Sequence, residues 1–340
     1  MKGLKKIYYS LCANLPMSLF RSGGPAGLLL PYHHTVSNNK LEHISNLYQF
    51  KNIETFSKDL DFLLKYYKPI APPDLWHSVQ SNTPVPPGRF LLTFDDGFKE
   101  ISEVVAPLLS KKGVPAIFFI NPAFIDNKKM FYRGKISILI GMLRDNPQRY
   151  IPTFSSLLSV APILETVVAA LKKITQLNAS LLDTIASEIN YSFEDYLLRQ
   201  RPFLTQEQLL SLHTQGFSIG SHSMDHPYYN LLPAAEQVRQ TLDSCSYVKE
   251  LLNTDTCHFS FPHSDADVTQ ETIDLIREGN KGLIFGVQNQ KKEPTNHILH
   301  RFNAERPDPG IDALIKGQIT LNWVQQLAGT NTVKRNGQIK

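Results

Sequence analysis

Apolar positions along the chain follow two rhythms. Short unbroken runs, at 27–33, 89–94, 115–120, 217–221, 257–261, 282–287 and 297–302, alternate with longer stretches in which apolar residues recur every three or four positions. Runs without a polar face are what strands of a parallel sheet look like when helices cover it. The longer stretches read as helices. One spans 54–67, with Phe56, Leu60, Leu63, Leu64 and Tyr67 in helical register. A second spans 100–111, with a kink at Pro107 and a stop at Gly113. Thr205 and Gln208 form the start signal of a third, which Gly216 ends. Pro233 opens a fourth, with Val238, Leu242, Cys245, Val248 and Leu252 on one stripe, and Asp267 is the expected cap of a fifth.

The segment 128–201 breaks this alternation. It carries helical runs at 136–143, 163–174 and 181–189 and no convincing strand. The pattern predicts an α/β architecture with right-handed crossovers, a parallel sheet or barrel, and a helical insertion between two of its strands. The expected divisions are an N-terminal amphipathic segment (1–26), the first part of the barrel (27–127), the insertion (128–201), the second part of the barrel (202–303) and a C-terminal helical tail (304–340).

Composition narrows the class. The chain has 340 residues, 42% hydrophobic and 19% charged, which excludes a disordered, collagen-like or coiled-coil protein. Thirty-five basic against 31 acidic residues give +4, with no block of like charge, so nothing supports nucleic-acid binding. Three cysteines, Cys12, Cys245 and Cys257, form no Cys-x-x-Cys pair and no disulfide scaffold. Lys2, Lys5 and Lys6 precede a mildly apolar run, 7–20, which Asn14 and Pro16 interrupt and which has no evident cleavage site. This segment reads as an amphipathic docking helix, with a surface anchor whose lysines face lipid headgroups as the alternative. No run is long enough to span a membrane. The expected location is cytoplasmic, with peripheral membrane contact or homodimerisation as further options.

Three segments at strand ends carry candidate chemistry, where a parallel barrel gathers its catalytic groups. In Thr93-Phe94-Asp95-Asp96-Gly97, adjacent carboxylates can take different roles, one binding a cation and the other staying free as a base. In Ser221-His222-Ser223-Met224-Asp225-His226-Pro227, two histidines four apart can converge on one ion. Each pattern alone is common in ordinary turns and surfaces. One Asp and two His together make the facial set that holds a divalent ion with open positions. The free carboxylate beside it then suggests a metal-assisted hydrolase with a general base. In Phe259-Ser260-Phe261-Pro262-His263, the proline fixes the loop, and the His263 N–H can serve as an oxyanion donor.

In combination and order these motifs resemble the polysaccharide deacetylases with the NodB homology domain, carbohydrate esterase family 4. The resemblance covers roughly 27–125 and 202–303. It includes Tyr32-His33-His34, Pro107 with 113–119, and 216–222. It implies a distorted, incomplete (β/α) barrel with one divalent ion, usually zinc, sometimes cobalt or nickel. It implies Asp95 as catalytic base, Asp96, His222 and His226 as metal ligands, and Ser223 as a brace of the metal loop. Two positions depart from the family, which often has Arg and Tyr where this chain has Ser260 and His263. Arg301 can replace the missing Arg in orienting the base. The family's late Leu-x-His is matched loosely by Ile298-Leu299-His300, which makes His300 a candidate general acid. On a strand, His300 and Arg301 point to opposite faces.

His33 is a further candidate for the pocket wall, and Tyr228, Tyr229, Trp76 and Trp323 are candidates for stacking on sugars. The implied activity is hydrolysis of a carbon–nitrogen bond other than a peptide bond, removing acetyl groups from N-acetylated sugars of a polysaccharide or glycan precursor. The alternatives are an O-acetyl ester or other small amide as substrate, or a carbohydrate-binding protein that has lost turnover.

Overall fold

A computed structural model of the chain describes residues 2–24, 27–293 and 298–335. Eight parallel strands form a nearly closed barrel with one open seam. Their order is Ile298–His300, Ile284–Gly286, Phe259–Ser260, Ser218–Ser221, Ala116–Ile120, Leu92–Phe94, Pro31–His33 and Phe302–Asn303. The two edge strands are consecutive in sequence, with Arg301 alone between them. Its N–H donates to Gly286 O (2.9 Å) on one side of the seam, and the N–H of Phe302 donates to Leu30 O (3.0 Å), next to Pro31–His33, on the other. The expected distorted (β/α) barrel is therefore the observed fold.

Two predicted strands divide. The first becomes Leu28–Leu29 and Pro31–His33, and the second becomes Arg89–Phe90 and Leu92–Phe94. Pro31, with no N–H to give to a ladder, marks the first break. The outer halves pair with each other and with Lys68–Pro69 in a small parallel sheet below the barrel. Lys68–Pro69 has no apolar run that could announce it. His297, the expected start of the last strand, lies outside the described residues, as do residues 1, 25–26 and 336–340 of the expected terminal segments.

The five helices of 128–201 are Tyr132–Asp145, Pro147–Leu158, Leu164–Lys172, Ser180–Glu188 and Phe193–Gln200, and no strand interrupts them. They enclose a hydrophobic cluster of their own, with Leu139, Phe154, Leu171, Leu182 and Ile185, which reaches the barrel through Phe98, Phe124 and Phe203. Pro107 lies in the first turn of Ala106–Lys112, after a stretch of π-helix at Ile101–Val105, and Gly113 (φ 64°) ends the helix. Thr205 and Gln208 form the expected capping box. The cap of Gln270–Gly279 is Thr269, not Asp267: its hydroxyl accepts from the Thr272 N–H, which Asp267 is too early in the chain to reach.

Helix Lys2–Ala13 packs against helix Ile311–Leu327, where the Tyr8 hydroxyl donates to Gly317 O (2.5 Å) and Lys316 Nζ to Ala13 O (2.9 Å). Ile7, Leu11, Leu15 and Leu19 remain exposed. The side chains of Lys2 and Lys6, two of the three lysines of the expected headgroup contact, lie outside the described residues. Among the described residues, no helix is long and apolar enough to cross a membrane. The three cysteines are free and buried.

Candidate active site

The chain reverses sharply after strand Leu92–Phe94. Asp96 (φ 71°) and Gly97 (φ 66°) are both left-handed, and a Cβ on Gly97 would meet Ile120 Cγ2 at 3.1 Å. The turn splits the two carboxylates. Asp95 stays tied to the barrel, its N–H donating to His33 O (2.9 Å), while Asp96 turns toward the loop after Ser218–Ser221. That loop is also wound from left-handed residues, Ser223 (φ 67°) and His226 (φ 61°). Ser223 Oγ accepts from the His226 N–H (3.1 Å), as expected of a brace. Asn121, at the end of the neighbouring strand, donates to the carbonyls of His222 and Ser223.

Asp96, His222 and His226 converge. Asp96 Oδ1 lies 3.2 Å from His226 Nε2 and 3.6 Å from His222 Nε2, and one ligand atom from each falls within 4.8 Å of the others. All three are buried, and Asp96 Oδ1 has no well-formed hydrogen bond. His222 Nδ1–H donates to Ser260 O (2.8 Å), which leaves the Nε2 lone pair facing Asp96. Burial lowers the His222 pKa to about 4, despite the opposing pull of Asp95, so its ring is neutral at pH 7. Burial alone would raise the Asp96 pKa, but His226 and His34 hold it well below the ordinary value. Two neutral-capable imidazoles and one carboxylate, with an orphaned oxygen, form a donor set that fits a divalent ion.

Arg301 reaches the same rim from the seam. It donates from Nη1 and Nη2 to Asp95 Oδ1 and Oδ2 (2.7 and 2.8 Å), and also to Thr93 Oγ1 (2.8 Å) and Ser260 Oγ. Burial pushes the Asp95 pKa up, but the guanidinium, together with His222 and His34, outweighs it and keeps the carboxyl below its ordinary range. Ser260, which stands where the family often has Arg, thus accepts from an arginine supplied by another strand.

Two sequence candidates lie elsewhere. His33 packs between Phe94 (5.4 Å, stacked) and Phe56 in the outer core, away from the triad. His300 Nε2 bonds to Glu293 (2.8 Å) and its Nδ1 accepts from the Gln288 N–H (3.3 Å). It lines a separate cavity of about 430 Å³ with Leu28, Leu30, Leu75 and Glu293. His300, Glu293 and Asp265 have the composition of a second cation site. Arg335 already fills that role, donating to Asp265 Oδ2 (2.7 Å) and Glu293 Oε1 (2.5 Å).

His34, which the sequence offers only as part of Tyr32-His33-His34 with no role of its own, is held by a carboxylate. Its Nδ1 lies 2.7 Å from Glu305 Oε2, and Glu305 Oε1 accepts the N–H groups of His34 and Thr35. Burial lowers the His34 pKa, but Glu305, with Asp96 and Asp95 near, overrides it and raises the value to about 9. Period-two alternation could have found it. Tyr32 packs under the Arg301 guanidinium (4.8 Å), and the residue two further on shares its face.

The remaining wall is aromatic. The His263 ring stacks on Tyr228 (3.7 Å, 10°) and meets His226 edge-on, and Tyr132 OH lies 3.2 Å from His263 Nε2. The N–H of His263 has no hydrogen-bond partner among the described residues. Pro262, just before it, ends the strand-to-loop turn. Of the other aromatics, Tyr229 is buried in the core, Trp323 stacks on Phe20, and Trp76 packs with the cluster of Ile70 and Leu75.

The family model described as polysaccharide deacetylase matches residues 82–278, more than half of the chain. The chain belongs to the polysaccharide deacetylase family. Among solved structures, this deacetylase is similar to the Streptococcus pyogenes deacetylase PplD in complex with acetate, at 14% identity and a TM-score of 0.55, covering 86% of this chain and 97% of that one. It is similar to IcaB from Ammonifex degensii at 16% identity and a TM-score of 0.54, covering 85% and 97%. A de-N-acetylase from Aggregatibacter actinomycetemcomitans gives 11% identity and a TM-score of 0.53, covering 85% and 99%. At these identities the likeness shows the fold. No match is found among curated proteins.

Proposed function

We propose that this deacetylase is a metal-dependent hydrolase that removes acetyl groups from N-acetylated sugars. The observation that carries the reading is the buried set of Asp96, His222 and His226 beside an Asp95 held by Arg301. A divalent ion held by that set, with zinc the first choice on its donor types, supplies Lewis-acid chemistry toward a carbonyl oxygen and acidifies water.

The chain's own groups do the rest. Asp95, ionised, takes the proton of the attacking water. Its Oδ2 lies 3.9 Å from His222 Nε2 and accepts one bond from Arg301 Nη2, which leaves it a second lone pair for the water's proton. The His263 N–H, without a hydrogen-bond partner among the described residues, receives the oxyanion in this reading. His34, protonated at neutral pH, gives its proton to the departing nitrogen as the carbon–nitrogen bond breaks. Acetate and a free amine result. A donor that still carries its proton at neutral pH favours an amide substrate over an O-acetyl ester, because an amine leaves poorly unless protonated and an alcohol leaves more easily. The intact Asp95–Arg301 pair argues against a binding protein without turnover.

The test is acetate release from N-acetylated chitooligosaccharides by protein loaded with zinc, and by the same protein after chelation. The expected result is release that chelation stops and zinc restores. Release that survives complete metal removal overturns the metal role. Hydrolysis of O-acetyl esters alone overturns the amide assignment.

A further inference from the structure

The helical segment between the two parts of the barrel contributes to the site wall as well as to its own core. Phe131 packs edge-on against His226 (4.8 Å), and Tyr132 reaches His263. Gln176 pins Tyr228 through both backbone groups, at 3.2 Å each. Arg133 Nη1 donates to the hydroxyl of Tyr228 (3.1 Å).

The charges of this cleft are otherwise paired. Arg301 is matched by Asp95, and His34 by Glu305. Arg133 has no carboxylate partner among the described residues, only the phenols of Tyr228 and Tyr132. It is half-buried, and its charge acts on His263 at one side of the cleft and on Tyr48, packed against His34, at the other. A guanidinium offers five donors in a planar fork that matches a carboxylate or phosphate with two bonds at once.

We infer that Arg133 binds a negatively charged substituent, carboxylate or phosphate, next to the N-acetylated sugar of the substrate. The inference rests on the deacetylase reading and names the substrate class as an anionic glycan. Arg133 acts here as a specificity residue, and the helical segment is the part of the chain that selects the substrate.

The test uses zinc-loaded full-length protein and three probes: neutral N,N′-diacetylchitobiose, N-acetylglucosamine 1-phosphate, and a disaccharide of N-acetylglucosamine with glucuronate. Binding is measured by calorimetry and acetate release in parallel, for wild type, Arg133→Gln and Arg133→Lys. One charge-assisted bidentate contact is worth about tenfold or more in affinity. Wild type should therefore bind at least one anionic probe about tenfold tighter than chitobiose, less so in high salt. Preference for the phosphate or for the glucuronate probe identifies the source of the charge. Arg133→Gln should bring the ratio near one, and Arg133→Lys should keep only part of it. Equal binding of all three probes by wild type overturns the inference, and so does a preference that survives in Arg133→Gln. A preference that depends on Arg133, with no acetate released from any probe, would leave the anion site standing and remove the deacetylase reading. Acetate release without any preference does the reverse.

Discussion

Arg301 and Asp95 are 206 residues apart in sequence and meet in a buried two-bond contact, Nη1 to Oδ1 at 2.7 Å and Nη2 to Oδ2 at 2.8 Å. The contact exists because the barrel's two edges are joined through Arg301. The closure of the fold and the orientation of the base are one structural event.

Removing the guanidinium should therefore have two effects. Arg301→Gln leaves a buried carboxylate without its partner, at a cost of roughly 3–5 kcal/mol in urea unfolding at neutral pH. Asp95 lies below its ordinary pKa because of Arg301. The pair's stabilisation is present above that ordinary value and is lost as pH falls through the depressed one. In the variant, burial is opposed only by His222 and His34, and the Asp95 pKa rises. The acidic limb of the rate profile should move to higher pH. An unmoved limb would show that Arg301 does not tune the base.

Asp95 and Asp96 are adjacent but should separate cleanly. Asp95→Asn keeps the size and loses the basicity, so turnover should drop about 10²-fold or more with metal content near wild type. Asp96→Ala removes a ligand, and metal content should fall with activity. Metal analysis beside rate measurement distinguishes the two. If Asp95→Asn turns over at the wild-type rate, the base lies elsewhere.

His300 and His34 make competing predictions for the general acid. His300 is locked in a buried network with Glu293 and Arg335, so His300→Gln should lower stability by about 1–3 kcal/mol. Its effect on kcat should stay within a few-fold. His34→Gln should cut kcat by about 10²-fold or more, with a smaller effect on an activated acetyl ester that needs no proton donor. A large kcat loss in His300→Gln with unchanged melting would reverse the assignment.

Much of this was legible in the sequence for a physical reason. Strand ends in a parallel barrel share one rim, so Asp95, Asp96, His222 and His226 could be placed together from the order of apolar runs alone. Alternation on the last strand separated His300 from Arg301, and the structure puts Arg301 on the site's side. What could not be read were contacts between distant loops. Glu305 follows the last strand with no motif around it, and its pairing with His34 depends on barrel closure. Asn121 looks like any strand-end asparagine until its amide meets the carbonyls of the metal loop. Arg133 sits at the start of an amphipathic helix whose pattern reports only the core it faces. The Asp267 cap failed because two plausible capping residues stood two positions apart, and local geometry chose Thr269.

The His34–Glu305 pair makes the sharpest pH prediction. The His34 pKa stands at about 9 in the folded protein against an ordinary 6.5. A raised histidine stabilises the fold fully below its ordinary pKa, and that contribution disappears as pH rises through the folded value. The same window governs the proton donor. Rate should hold through neutral pH and fall as pH passes about 9, because the donor is then lost. Glu305→Gln keeps the shape but removes the largest force raising the pKa. Burial then acts with less opposition, and the alkaline limb should move down toward or below neutrality. The loss of stability expected of wild type between pH 6.5 and 9 should shrink in the same variant. NMR titration of the His34 ring in the metal-free protein would follow the shift directly. An alkaline limb that stays near pH 9 in Glu305→Gln would mean that another group sets it, and His34 would lose its place as the donor.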